Sequence, residues 1–173
     1  MIDSYLHHLS TARRLSPRTV AARRSDLTTA ERHIGPLSRC SRADVQGYLQ
    51  ACKCAPSTLA RRLDSLRGFF RWAVAEGLRP DNPTDGIEPP KVPRSLPKPL
   101  SRAEVSAMLA EARPGLERDV VAALYYSGLR ASELAAATWA DYDQVGATLR
   151  VRGKGSKDRV VPFKAPKRAQ IRD

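Results

Sequence analysis

The chain has few of the residues that would indicate a disulfide scaffold, a zinc centre or a membrane protein. It contains three cysteines, an odd number, and Cys52 and Cys54 have no second ligand pair at zinc spacing. No apolar run approaches the roughly 20 residues that cross a bilayer, and the N-terminus lacks the basic start and apolar segment of a signal peptide. We therefore expect free thiols, no metal or other cofactor, no membrane association and a cytoplasmic location.

Acidic residues are scarce relative to basic ones. The chain has 30 lysines and arginines against 18 acidic residues, which gives a net charge of +12 and an isoelectric point near 10.3. Arginine accounts for 23 of the basic residues, and its planar fork suits phosphate and guanine. High genomic GC content also favours arginine over lysine. Together with the motifs described below, the charge predicts a polyanionic partner, a nucleic acid.

Apolar residues recur at helical spacing through residues 1–79 and predict a mainly α N-terminal domain. Ser16 followed by Pro17 marks one helix start, and Ser41 with Asp44 is typical of a capping box at another. The longest stripe follows Pro56, and its apolar positions are Leu59, Leu63, Leu66, Phe70, Ala73 and Val74. Four helices in about 80 residues predict a compact bundle.

Residues 80–99 contain 7 of the 13 prolines of the chain. Because proline fixes φ and removes a backbone donor, this composition predicts a stiff, extended linker. Lys91 and Arg94 give the segment positive charge. Its lysines either face a polyanion or only keep the linker in solution.

Residues 100–173 are predicted to form a second domain with mixed secondary structure. A capping box at Ser101 starts one helix, and a second, apolar helix ends at Gly128. Tyr125 and Tyr126 lie in that second helix and are predicted to be packing aromatics rather than nucleophiles. Alternation in residues 148–152 and 159–161 predicts two strands of a small β-hairpin.

Two motifs in this second domain place cations where backbone can approach a phosphate. GLRASEL (128–134) places Arg130 after a glycine-marked helix end, with Glu133 close enough in sequence to orient it. LRVRGKGSKDRVVPF (149–163) places Lys154 between two glycines at a hairpin tip. Both motifs resemble those of the tyrosine recombinases, the Xer-type and phage-integrase family. The resemblance covers residues 1–163, and GKGSK lacks the glycine spacing of a nucleotide-binding P-loop.

The resemblance implies a fold and a chemistry, and it implies that the nucleic-acid partner is double-stranded DNA. Residues 1–79 would be a SAM-like core-binding bundle, residues 80–99 the linker of a clamp around DNA, and residues 100–173 an incomplete α+β catalytic domain. Arg130 would stabilise charge on the reacting phosphate and Lys154 would protonate the leaving oxygen. The expected DNA contacts, some of which are alternatively only solvated, are Arg23, Arg24, Arg61, Arg62, Lys91, Arg94, Lys157 and Arg159.

The family also uses a His-x-x-Arg sequence and a tyrosine nucleophile further along the chain. The three histidines here are His7, His8 and His33, and none has an arginine three residues later. We expect site-specific recombination by resemblance, with DNA binding kept and catalysis lost in this shortened chain. The alternative is a non-catalytic module that occupies recombination sites or modulates an intact recombinase. The family acts as a tetramer on DNA, which we do not expect of these residues alone.

Overall fold

The computed structural model describes residues 1–93, 96, 98–153 and 157–163. The chain divides into two compact units, Met1–Ser95 and Leu96–Asp173. Among the described residues, no helix combines the length and the apolar character required to cross a membrane.

The first unit is a bundle of four helices whose ends follow the capping signals of the sequence. Ser16 accepts a hydrogen bond from the backbone N–H of Thr19, with Pro17 in the first turn, and Ser41 and Asp44 form the complete capping box. The mainly α prediction is therefore confirmed for this unit. The helices are α1 (Ile2–Thr11), α2 (Pro17–Ile34), α3 (Arg42–Ala51) and α4 (Pro56–Ala75).

The bundle core is aromatic at the contact between α1 and α4. The rings of Tyr5 and Phe69 pack edge to face with centroids 5.6 Å apart, and Trp72 lies beside both. Phe69 is completely buried, although the predicted stripe omitted it, whereas Val74 at the end of that stripe is 37% exposed. Helical spacing predicts one narrow apolar face, whereas a central helix that contacts several neighbours buries residues outside that face.

The first part of the proline-rich segment packs against the bundle. Thr84 and Ile87 are buried, and Ile87 belongs to the same apolar cluster as the helices. Arg67 of α4 donates a hydrogen bond to the Ile87 carbonyl, and Arg42 of α3 donates one to the Gly86 carbonyl at 3.2 Å. Arginine side chains thus satisfy the backbone of residues 86–87, where prolines and turns leave no regular partner.

The described part of the second unit combines three α-helices and a short 3-10 helix with a small antiparallel sheet, which confirms the predicted fold class. Strand order is β1-β2-β3, and Leu149 of β2 pairs with Val161 of β3. These two residues are buried with Leu129 and Phe163 in a small core. The elements are α5 (Arg102–Glu111), α6 (Leu116–Ser127), α7 (Ala131–Ala136), a 3-10 helix (Trp139–Asp141), β1 (Tyr142–Asp143), β2 (Thr148–Arg152) and β3 (Asp158–Pro162).

Helix α6 has an unexpectedly exposed apolar surface. Tyr125 and Tyr126 contact each other with ring centroids 5.1 Å apart, yet they are 46% and 72% exposed. Leu116 is 68% exposed, and no residue of α6 is fully buried. Tyr125 and Tyr126 were predicted to be core or helix-packing aromatics. Among the described residues they do not pack in a core, since Ala123 and Leu124 are the residues of α6 that pack against the small sheet core.

Candidate functional site

Arg130 lies between two helices at a turn that its preceding residues fix. Gly128 ends α6 in the left-handed region, with φ of 62°, which glycine adopts without strain. Leu129 is buried at 6% exposure and anchors the turn in the sheet core. Arg130 then has extended φ and ψ and precedes α7. Its side chain is 66% exposed, so the guanidinium is available to a ligand.

Glu133 of α7 holds Arg130 in place. Its carboxylate is 5% exposed and accepts two hydrogen bonds from Arg130, from the backbone N–H at 2.8 Å and from Nη1 at 2.7 Å. The sequence predicted that Glu133 orients Arg130, and the described contacts agree with that prediction. A buried carboxylate with fixed partners keeps the exposed arginine in one orientation.

Arg159 of β3 binds the same carboxylate of α7. Its Nη1 donates to Glu133 Oε1 at 2.8 Å and its Nη2 to Oε2 at 2.7 Å, a bidentate pair. The hydrogen bonds from Arg159, followed by that from the Arg130 backbone, hold the pKa of Glu133 far below its usual range. Glu133 is therefore ionised at neutral pH and joins α7 to β3.

The two strands of the hairpin approach each other closely at Gly153 and Lys157, beside this carboxylate. Gly153 donates its N–H to the Lys157 carbonyl at 2.8 Å. A Cβ at Gly153 would lie 3.3 Å from that carbonyl oxygen and 3.4 Å from Arg159 Nη1. Lys157 is exposed, and Lys154, the predicted catalytic lysine, lies outside the described residues.

An open cleft of about 530 Å³ adjoins Glu133. Its walls carry charges of both signs, because Arg150, Arg152, Asp141 and Asp158 line it. Arg152 Nε donates a hydrogen bond to Asp158 at 3.2 Å. Among the described residues, no group of histidines, cysteines and acids is arranged to hold a metal ion. The chemistry that Arg130 itself offers is hydrogen bonding and charge stabilisation.

The arginines predicted to contact DNA from the bundle are already bonded to neighbouring side chains. Arg23 pairs with Asp64 at 2.6 Å and Arg24 pairs with Asp3 at 2.6 Å. Each pair joins two helices of the bundle. A phosphate that binds one of these arginines would have to share the guanidinium with the carboxylate or break the ion pair. The other two pairs are Arg61 with Asp26 at 2.5 Å and Arg62 with Cys52 Sγ at 3.1 Å.

The structure thus brings together Arg130 and Arg159 among the predicted site residues. Arg159 was predicted as an auxiliary DNA contact, and its pairing with Glu133 was missed because the two lie 26 residues apart in sequence. No local pattern in the sequence indicates this pairing, because the burial of Glu133 becomes apparent only in the folded structure. Lys91 is exposed, and Arg94 lies outside the described residues.

Two family models match the chain. The model of the phage integrase N-terminal SAM-like domain matches residues 2–77, and that of the phage integrase family matches residues 98–173. The chain belongs to the phage integrase family of tyrosine recombinases. The second match contains Arg130, Glu133 and Arg159, so the carboxylate with its two arginines lies inside the region that defines the family.

Curated relatives match nearly the whole of this chain. Tyrosine recombinase XerC of Myxococcus xanthus is 36% identical over 95% of this chain, and XerD of Xanthomonas campestris is 34% identical over 94%. The chain spans 59% and 54% of the length of these two relatives. A lambda integrase (residues 75–356) dimer bound to a COC′ core site shares the fold, with a TM-score of 0.73 and 20% identity over 93% of this chain and 60% of that solved chain.

Proposed function

We propose that this chain acts in site-specific DNA recombination by binding duplex DNA and holding a phosphodiester at Arg130. The observation that supports this best is an exposed guanidinium fixed in the family motif by a buried carboxylate. The net charge of +12 supports a polyanionic ligand. The XerC and XerD relatives are tyrosine recombinases, and the lambda integrase relative was solved on a core site.

Each part of the chain has a proposed role. Residues 1–79 form the core-binding domain that contacts DNA, residues 80–99 link the domains with Lys91 and Arg94 as backbone contacts, and residues 100–173 contribute to the catalytic domain. Lys157 is an exposed candidate phosphate contact beside the hairpin. DNA in the cytoplasm is the proposed partner.

The proposed chemistry at the phosphate divides between two residues. A permanently charged, planar guanidinium suits the charge that builds up on a phosphorane, which is the role of Arg130. Lys154 is proposed to donate the proton to the leaving 5′ oxygen, a role for which lysine needs a pKa lowered by its surroundings. Neither role requires a metal or another cofactor.

A second candidate function follows from the positions of the histidines. His7, His8 and His33 all lie in the bundle, and the 173 residues contain no His-x-x-Arg sequence. We expect that this polypeptide alone does not cleave DNA, since each absent catalytic group lowers the rate by orders of magnitude. It would then occupy recombination sites or modulate an intact recombinase.

The test of DNA binding is the salt dependence of affinity for a 30-base-pair duplex, measured by fluorescence anisotropy. If about six phosphates are contacted, log affinity falls with log salt at a slope of roughly −5. Replacement of Arg130 by Gln should weaken binding, whereas the same replacement of exposed Arg118 should not. A slope near zero would remove the DNA-binding proposal.

The test of cleavage is a nicked suicide substrate that traps a covalent protein–DNA adduct. No adduct is expected with this polypeptide alone. Inhibition of an intact relative on the same substrate would support the modulating role. An adduct formed by this chain would show that the 173 residues contain a nucleophile, and the non-catalytic alternative would be abandoned.

A further inference from the structure

One buried carboxylate is shared by two arginines, and its acceptor positions are fully used. Oε1 of Glu133 accepts from Arg130 Nη1 and Arg159 Nη1, and Oε2 accepts from the Arg130 backbone and Arg159 Nη2. A carboxylate offers about four lone-pair positions, so Glu133 has none left for a further donor. The three side chains together carry a net charge of +1.

We propose that Arg159 is a positioning and charge-balancing residue, which neutralises Glu133 so that Arg130 keeps its positive charge for a phosphate. This rests on the proposed function, in which Arg130 is the phosphate-binding group. In a pair of Arg130 and Glu133 alone the net charge is zero, and a phosphate approaching Arg130 meets the repulsion of the carboxylate nearby. The second guanidinium cancels that repulsion.

The geometry of the two arginines separates their roles. Arg159 uses both Nη atoms on the carboxylate and its side chain is 37% exposed, whereas Arg130 uses one Nη and its side chain is 66% exposed. The greater exposure of Arg130 suits a ligand-binding group. Arg159 is committed to Glu133, which argues against the auxiliary DNA contact predicted from the sequence.

The surrounding charges do not replace Arg159 in this role. Arg152 forms an ion pair with Asp158. The Asp141 carboxylate accepts hydrogen bonds from Thr138, and the charges of Arg150 and Arg152 also lower its pKa. Among the described residues, Arg130 and Arg159 are the cations that bond to Glu133. Removal of Arg159 therefore leaves Arg130 as the sole described guanidinium on that carboxylate.

The experiment is a charge cycle on the full chain with inorganic phosphate as the probe. The variants are Arg159→Met, Arg159→Lys, Glu133→Gln and the double variant Arg159→Met with Glu133→Gln. Phosphate affinity is read from the shift of the Arg130 Nε–H resonance at pH 7 and constant ionic strength. Arg118→Met is the matched control, because Arg118 is exposed and its removal should leave the titration unchanged.

We expect Arg159→Met to weaken phosphate binding on the order of fivefold and Glu133→Gln to strengthen it by a similar factor. This is the size of one unit charge roughly 7 Å away at an effective dielectric constant near 50. The double variant restores the net charge of +1 and should return to within about twofold of the parent. Arg159→Lys keeps the charge without the fork and should also stay within about twofold.

Three outcomes would overturn the inference. The first is an Arg130 resonance that does not respond to phosphate in the parent chain. The second is a loss in Arg159→Lys as large as that in Arg159→Met, because the proposed role depends on the charge of residue 159, which lysine keeps. The third is a Glu133→Gln variant that binds phosphate no more tightly than the parent chain does. This comparison tests the inference even if Arg159→Met does not fold.

The same samples separate this inference from the proposed function. Affinity for the 30-base-pair duplex is measured beside the phosphate titration. A parent chain that shows the predicted phosphate cycle but does not bind the duplex would contradict the proposed function and support the charge balance at Glu133. If the parent chain binds the duplex but the variants do not show the predicted changes in phosphate affinity, the proposed function is supported and the charge balance at Glu133 is contradicted.

Discussion

Nη1 of Arg61 lies 2.5 Å from Oδ2 of Asp26, a carboxylate that is 4% exposed between α2 and α4. Ser65 donates to the same oxygen at 2.7 Å. Arg61 was predicted as one of the DNA contacts, and the structure gives it a carboxylate partner 35 residues away. Its guanidinium therefore contributes to holding two helices together.

Replacement of Arg61 by Gln should lower the stability of the bundle. The change leaves the buried Asp26 with Ser65 as its neighbour, and because the Arg61 side chain is 51% exposed we expect about 1–2 kcal/mol rather than the larger loss of a fully buried pair. Urea unfolding followed by Trp72 fluorescence, in a chain with Trp139→Phe, measures it. Arg118→Gln is the control and should change stability by less than about 0.5 kcal/mol.

A double-mutant cycle assigns that loss to the pair. In an Asp26→Asn background, Arg61→Gln should be nearly neutral, since the charge it compensates has been removed. If Arg61→Gln destabilises both backgrounds equally, the ion pair contributes nothing and the effect comes from packing of the arginine stem.

Arg79 should be more important for stability than any exposed arginine. Its guanidinium is 7% exposed and donates to the carbonyls of Leu37, Ser38 and Cys40 at 3.0, 2.8 and 3.0 Å. Arg79→Lys keeps the charge but loses the fork that reaches several carbonyls, so we expect a loss of about 3 kcal/mol. The measurement is again urea unfolding. Arg32→Lys, at an exposed position of α2, should have no effect, and a similar loss there would contradict the assignment.

The parts of this fold that the sequence predicts are those governed by local interactions. The helix starts at Ser16 and Ser41, and the glycine end at Gly128, depend on residues within one turn, and the structure confirms them. The motif likewise predicted that Glu133 orients Arg130, because the two are three residues apart.

The parts that the sequence did not predict depend on which elements meet. The bonds of Arg159 to Glu133 and of Arg61 to Asp26 join residues 26 and 35 positions apart. An arginine in a strand or on a helix has the same local pattern whether its partner is a phosphate or a carboxylate. The exposure of Tyr126 has the same origin, since helical spacing does not say what covers the helix.

Acid should remove the stabilisation that Glu133 provides. Bonds from Arg159 and from the Arg130 backbone lower the pKa of Glu133 in the folded chain, while the unfolded value is near 4.3. A lowered pKa means that the stabilisation is complete above about pH 4.3 and is lost as pH falls through the folded value. The check compares Glu133→Gln with the parent between pH 7 and pH 3, by amide exchange at Leu149 and Val161 in the sheet core.

The difference in protection between parent and Glu133→Gln should be constant at neutral pH and shrink below about pH 4.3. Asp141 has a pKa lowered by Thr138, but it is present in both chains and cancels in the comparison. A difference that grows as pH falls would mean that the carboxylate is destabilising when ionised, contrary to its bonds with Arg130 and Arg159.

Two helical glycines should respond in opposite ways to the same substitution. A Cβ at Gly68 in α4 would lie 2.6 Å from the hydroxyl oxygen of Tyr5, whereas a Cβ at Gly47 in α3 meets nothing within 4 Å. Alanine is favoured over glycine inside a helix by up to about 1 kcal/mol, so Gly47→Ala should stabilise the bundle. Gly68→Ala should instead destabilise it by about 1–3 kcal/mol, because Tyr5 is 4% exposed and packs against Phe69 and Trp72.

Urea unfolding of the two variants decides between propensity and packing at Gly68. Stabilisation by both alanines would mean that α1 moves away from α4 at little expense. A comparison of Gly68→Ala, Tyr5→Phe and the double variant locates the clash, because Tyr5→Phe removes the hydroxyl that the new Cβ would meet. Gly68→Ala should then be less destabilising in the Tyr5→Phe background than in the parent, and an unchanged loss would place the strain elsewhere in the α1–α4 contact.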